Sequence, residues 1–268
     1  MFCGIRLAPA DPLPARDAAF GVEELRAVVT RLASDRLAES TQRPVVHATS
    51  VRSTLEPGFR LILVQRDGSD GATYSLAGDQ VDIGRTEGDL RFDDPYLGAR
   101  HARIALTAGA RVLSALEKRN GVYQRLRASA DLSDGDQILV GKQVLKFETV
   151  PELEKGLQPA VQQGVVLFGT PVRDSWGRLR QITQAGVTRD LYHLGRNDMV
   201  LGREQGDIVF PEDEFISRRH AQLSFRDGVG RIEDLGSSNG TFLRLRGPHT
   251  LVSGDLIRVG DELLRFEI

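Results

Sequence analysis

The chain has 268 residues, 40% of them hydrophobic, and its 35 basic and 37 acidic side chains leave a net charge of -2. That balance describes a globular protein of about two domains and excludes the bulk basic character expected of a nucleic-acid binder, so any cationic site is local and suits a compact anion. Cys3 is the only cysteine, which excludes an intrachain disulfide and a cysteine-rich metal site and fits a reducing compartment.

The first residues, MFCGIRLAPADP, hold no apolar core long enough for a signal peptide, and Phe2 rules out myristoylation. Nowhere is there an apolar run of about 18 residues. The expectation is a cytoplasmic protein with no membrane association. Val22, Leu25, Val29 and Leu32 recur at helical spacing, with Glu23 and Glu24 placed where a helix dipole favours them, which predicts one short helix. Residues 39–58 carry Ser40, Thr41, Thr49, Ser50, Ser53 and Thr54 without periodicity and read as a linker, so 1–58 is an N-terminal extension.

From residue 59 onward the chain repeats itself. IGRTEGDLRF at 83–92 matches LGREQGDIVF at 201–210, an offset of 203 − 85 = 118 that becomes 119 after a one-residue insertion. His101 then aligns with His220, Asn120-Gly121 with Asn239-Gly240, and Phe147 with Phe266. Each copy ends in a hairpin signal, DGDQILVGKQVLKF and SGDLIRVGDELLRF, turning at Gly141 and at Gly260-Asp261. Short alternating runs and frequent Gly, Asp and Asn turns make each copy an all-β sandwich of ordinary domain size. The expected division is 59–150 for the first domain, 151–163 for a proline-bounded linker, and 164–268 for the second domain. A longer front end in the second copy, around DSWGRLRQITQAG, reads as an added or elongated hairpin.

In the second copy the order is Gly202-Arg203, Ser217-Arg218-Arg219-His220, then Ser237-Ser238-Asn239-Gly240-Thr241. This pattern resembles the forkhead-associated (FHA) domain, whose Gly-Arg, Ser-x-x-His and Asn-Gly lie in loops at one end of a β-sandwich that reads phosphothreonine peptides. The resemblance implies all-β architecture with two tandem FHA-type sandwiches behind a short helical extension. It also implies that Arg203 and Arg218 supply charge-assisted bonds to phosphate, Ser217 a hydroxyl donor, Ser238 part of the pocket lining, and Asn239 a grip on peptide backbone. Gly202, His220, Gly240 and Thr241 are then pocket supports. The residue chemistry agrees, because a phosphothreonine brings nearly two negative charges and three acceptor oxygens.

The first copy departs from the pattern. It keeps Arg85, His101, Asn120 and Gly121, but Gly98 stands where the serine should be, Ala99 replaces the second cation, and Arg119 replaces Ser238. It reads as a degenerate FHA fold. Enzyme chemistry finds no support: GRTEG and GREQG do not continue into a Gly-Lys-Ser/Thr phosphate loop, there is no Gly-x-Ser-x-Gly elbow, and His47, His101, His193, His220 and His249 lack metal-ligand spacing. No catalytic residue, metal or cofactor is expected. The expected function is a non-catalytic adaptor in Ser/Thr kinase signalling whose partner is a phosphothreonine-containing protein, a kinase or its substrate, with self-docking of a phosphorylated N-terminal linker as a further expectation. The competing readings are an assembly protein with constitutive contacts and a vestigial pocket, and a regulatory subunit of an enzyme docked through the N-terminal helix.

Overall fold

The protein is described by a computed structural model over residues 58–171 and 173–268. The expected helix at 22–32 and the linker hydroxyls from Ser40 to Thr54 lie outside the described residues. The first copy supplies β1 (Phe59–Val64), β2 (Asp70–Leu76), β3 (Gln80–Gly84), β4 (Leu90–Arg91), β5 (Ala102–Thr107), β6 (Ala110–Ala115), β7 (Val122–Arg125), β8 (Ala130–Asp131), β9 (Gln137–Val140) and β10 (Gln143–Thr149). A small hairpin, β11 (Val161–Gln162) and β12 (Val165–Val166), follows in the connecting stretch. The second copy supplies β13 (Gly177–Ile182), β14 (Thr188–Leu194), β15 (Asp198–Gly202), β16 (Ile208–Val209), β17 (Ala221–Arg226), β18 (Val229–Asp234), β19 (Thr241–Arg244), β20 (His249–Thr250), β21 (Leu256–Val259) and β22 (Glu262–Glu267).

The strands form because apolar residues recur every second position. In β5, Ala102 and Ile104 are buried; in β17, Ala221 and Leu223 are; in β10 and β22 the pairs are Leu145/Phe147 and Leu264/Phe266. The segment read as an added hairpin is β13–β14, the counterpart of β1–β2. Its spacing to the Gly-Arg is the same in both copies, 85 − 59 = 26 and 203 − 177 = 26. The surplus length lies upstream of Gly177, in the connection that holds β11–β12.

Strand pairing cuts across the repeat. One ten-stranded sheet runs β14-β13-β10-β9-β19-β7-β21-β22-β1-β2, so the terminal hairpin of each copy completes the other copy's sheet. The join is the antiparallel pair β7–β19, with Phe242 opposite Arg125 and Arg244 opposite Tyr123. Two five-stranded sheets face it, β16-β15-β17-β18-β8 and β20-β6-β5-β3-β4, and these also exchange their last strand. Two hydrophobic cores result. The first joins Phe59, Ile83, Ile104 and Val122 to Ile257, Leu264 and Phe266; the second joins Leu179, Leu201, Leu223 and Ile232 to Ile138, Leu145 and Phe147. Residues 59–150 and 164–268 therefore delimit sequence repeats, while each packed sandwich is built from both.

The exchange is energetically substantial. Ile138, Val140, Leu145 and Phe147 are each at most 2% exposed. At about 1.5–3 kcal/mol per buried side chain, the four contribute on the order of 6–12 kcal/mol, comparable with the whole stability of a domain, about 5–15 kcal/mol. A sandwich deprived of the other copy's hairpin loses its margin unless another hairpin takes the place.

Candidate functional site

The five residues expected to bind phosphopeptide meet in one cleft of about 390 Å³, lined by Arg203, Glu214, Phe215, Ile216, Ser217, Arg218, Arg219, Ser238 and Asn239. Three loops bring them together: the one after β15 carries Arg203, the one before β17 carries Ser217 and Arg218, and the one before β19 carries Ser238 and Asn239. A larger cleft, about 610 Å³, lies where the copies cross and is lined in part by Arg244 and Arg246. Their guanidiniums are bonded to Gln137 and Asp136.

Backbone bonds tie the loops. The Arg203 amide donates to the Ser217 carbonyl at 2.9 Å, and the Ser238 amide donates to Ser217 Oγ at 3.1 Å. Because that oxygen accepts from the amide, its own proton is free to be offered into the cleft. Asn239 Nδ2 donates to the Phe215 carbonyl at 2.8 Å, which clamps two of the loops and leaves its amide oxygen for a ligand. Gly202 must lack a side chain, since a Cβ there would overlap the Arg218 carbonyl. Gly240 has φ +84°, and a Cβ would run into Arg125.

His220 is fully buried. Its Nδ1 accepts from the Ser217 amide at 3.0 Å and its Nε2 faces the Gly240 carbonyl at 3.1 Å, which specifies the neutral tautomer protonated on Nε2. Burial lowers its pKa, outweighing the raising effects of the Gly240 carbonyl and Asp234. The imidazole is a strut between two loops. It engages the serine's backbone and not its hydroxyl, an arrangement without a nucleophile–base pair.

Sequence reasoning passed over the layer beneath. Asp234 Oδ2 accepts from Ser237 Oγ and Thr241 Oγ1, each at 2.7 Å, while its Oδ1 accepts from the Ser237 and Gly236 amides. Burial alone would raise the Asp234 pKa, but the bonds from Ser237 and Thr241 outweigh it and hold the carboxyl below its usual range. Ser237 Oγ in turn accepts from the Gly240 amide. The second missed residue is Asp213, 3% exposed, which takes the Lys142 amide at 2.8 Å and Gln143 Nε2 at 2.6 Å. Lys142 and Gln143 belong to the first copy, so the exchanged hairpin braces the loop that carries Ser217. No local signal in the sequence foretells a partner 70 residues away.

The first copy reproduces the frame without the donors. Gly98 N donates to His101 Nδ1 at 3.1 Å, His101 Nε2 meets the Gly121 carbonyl at 2.7 Å, and Asn120 Nδ2 bonds the Tyr96 carbonyl at 2.7 Å. Arg85 is paired with Asp93 at 3.5 Å. Glu117, which aligns with Gly236, supplies from within the Asn-Gly loop the acceptor that Ser217 supplies from another loop. Its Oε1 accepts the Arg119 amide at 2.9 Å, as Ser217 Oγ accepts that of Ser238. Arg119 binds the same carboxylate through Nε and Nη2, and its hydrogen bonds pull the Glu117 pKa down to about 2. A Cβ on Gly98 would lie 2.9 Å from Glu117 Oε2, so the glycine is what makes room for the carboxylate.

The comparisons with known proteins agree with this frame. The sequence profile of the FHA domain matches residues 81–141 and 192–260. FhaB, an FHA domain-containing protein of Mycolicibacterium smegmatis, is 32% identical over 111 residues, covering 39% of this chain and 72% of that one. The oxoglutarate dehydrogenase inhibitor of Corynebacterium diphtheriae is 36% identical over 126 residues, 46% of this chain and 85% of that one. FhaB of Mycobacterium tuberculosis is 32% identical over 97 residues, and the match spans 63% of its length. A solved structure of an FHA domain, studied for phosphothreonine-dependent interactions, is 26% identical over 34% of this chain and 94% of that one, with a TM-score of 0.22. The chain belongs to the FHA domain family and carries two FHA regions, one with the full loop signature and one without. Members of this family are phosphothreonine-binding, non-catalytic modules, and no enzyme family is indicated. Among the described residues no helix is long and apolar enough to cross a membrane, and no three metal-ligating side chains gather to hold an ion.

Proposed function

We propose that the protein is a phosphothreonine-reading adaptor in Ser/Thr kinase signalling that docks its partner through the second-copy loops. The convergence of Arg203, Ser217, Arg218, Ser238 and Asn239 on one cleft carries the reading, since those side chains offer the donors that a doubly charged phosphate with three acceptor oxygens takes up. The partner is a phosphothreonine-containing protein, a Ser/Thr kinase or its substrate, met in the cytoplasm. The first-copy loops serve as scaffold or as a phosphate-independent contact. Phosphorylated Thr41, Thr49 or Thr54 is a candidate ligand for the same cleft, in the same chain or another.

Titrating the full chain with matched phosphothreonine, phosphoserine and unphosphorylated peptides tests the reading. The expected order of affinity is phosphothreonine above phosphoserine, with no measurable binding of the unphosphorylated peptide. Equal affinity for the first and last would end it.

A further inference from the structure

Both arginines that the proposed function assigns to the phosphate are already held by one carboxylate. Glu204 Oε1 accepts from Arg203 Nη2 at 2.8 Å and Nε at 3.2 Å, and Oε2 accepts from Arg218 Nε at 3.0 Å. Glu204 thus occupies, on two guanidiniums, hydrogen-bond positions that phosphate oxygens would need. Hydrogen bonds from Arg203 and then Arg218 hold its carboxyl below the usual range, so at neutral pH it is a full anion. The first copy has Thr86 in its place and Ala99 where Arg218 stands.

Donors are limited. An N–H aimed at Glu204 cannot aim equally well at a phosphate, and a carboxylate left in place repels the incoming dianion. The arginines are rim residues, 34% and 71% exposed, and Glu204 is 44% exposed, so the clamp is a surface ion-pair cluster that a ligand with twice the charge can open.

We infer that Glu204 is a built-in competitor of the phosphate that sets the affinity of the second-copy site. The inference rests on the phosphate-reading function and deepens it: the loop lowers affinity on purpose, keeping Arg203 and Arg218 from ordinary carboxylates and yielding them to a phosphoryl group. An exposed Glu→Gln change keeps shape and removes only charge, which leaves the fold intact.

The test compares the full-length chain with its Glu204→Gln and Glu212→Gln variants. Each is screened against a degenerate phosphothreonine peptide library, and the tightest peptide recovered from any of them is titrated calorimetrically into all three. Glu204→Gln is expected to bind roughly three- to tenfold tighter than the native chain, the scale of a released surface ion-pair cluster. Glu212→Gln, which changes net charge equally on the next loop, should differ less than twofold. Binding by Glu204→Gln alone would support the inference in its strongest form. Unchanged or weaker binding, or an equal gain from Glu212→Gln, would overturn it while leaving the phosphate-reading function in place. If no form retains a phosphopeptide, that function falls and the inference with it.

Discussion

The two loop clusters share one frame and differ in what fills it. In both, a buried histidine joins the loop before the fifth strand of its copy to the Asn-Gly loop, and the asparagine clamps a backbone carbonyl of the former. In the second cluster, the acceptor for the Asn-Gly loop is a serine hydroxyl that retains a proton to donate. In the first it is the Glu117 carboxylate, which has none and which is itself an anion on a would-be anion site. One cluster is organised around a donor and the other around its own internal acid. The lesson is that the frame survives on its histidine and asparagine bonds, while the serine's tie between two loops gives way to a bond within one loop, from the Arg119 amide to Glu117.

The sharpest way to break the comparison is to ask whether the two sandwiches are separable at all. Cleavage at a protease site inserted in the exposed connection at 155–169 should leave the two fragments co-eluting on size exclusion, parting only in denaturant, because each supplies the other's terminal hairpin. Fragments that separate without denaturant would show two self-contained domains.

Next in size is the division of labour between the arginines. Losing a hydrogen bond to a charged group costs about 1.5–3 kcal/mol, roughly 10- to 150-fold in affinity. Arg203→Ala should lower phosphothreonine-peptide affinity by at least that much and Ser217→Ala by the lower end of the range, whereas Arg85→Ala should change it less than twofold. If calorimetry finds Arg85→Ala as damaging as Arg203→Ala, both clusters read phosphate.

A smaller effect sharpens the role of Glu117. Gly98→Ser with Ala99→Arg should leave the first cluster without phosphate affinity, because the new Cβ meets the carboxylate and the charge remains. Adding Glu117→Gly, in an Arg203→Ala background that silences the other site, should bring back measurable binding of a phosphothreonine peptide. Restoration by the double change alone would show that the carboxylate is not what closes the site.

The smallest predicted effect concerns pH. His220 has a folded pKa below the ordinary 6.5, so protonation favours the unfolded chain. Its contribution is complete above about pH 6.5 and is lost as the pH falls from there through the depressed folded value, with a slope of at most about 1.4 kcal/mol per unit. The imidazole resonance of His220 in the full chain should begin to titrate only below pH 6.5, with the unfolding midpoint declining over the same window. Proton uptake above 6.5 would contradict the buried neutral tautomer.

The sequence by itself determined the all-β class, the twofold repeat and the identity of the loop that could hold a phosphate. Alternation of apolar residues along a strand is a local property, and the Gly-Arg, Ser-x-x-His and Asn-Gly spacing is legible along one chain. The same information marked Gly98 and Arg119 as departures from the pattern, but not the carboxylate that accepts the Arg119 amide. Glu117 and Glu204 look in sequence like any surface acid, and only three-dimensional proximity to Gly98 and to two guanidiniums gives them their parts. The tertiary structure alone decided which hairpin completes which sandwich. Ile138, Leu145 and Phe147 have near equivalents in Ile257, Leu264 and Phe266. Two hairpins with the same period and similar side chains satisfy either core, so no local pattern distinguishes an exchanged pair from two closed domains; the choice is made by the β7–β19 pairing and by long-range partners such as Asp213 with Lys142 and Gln143.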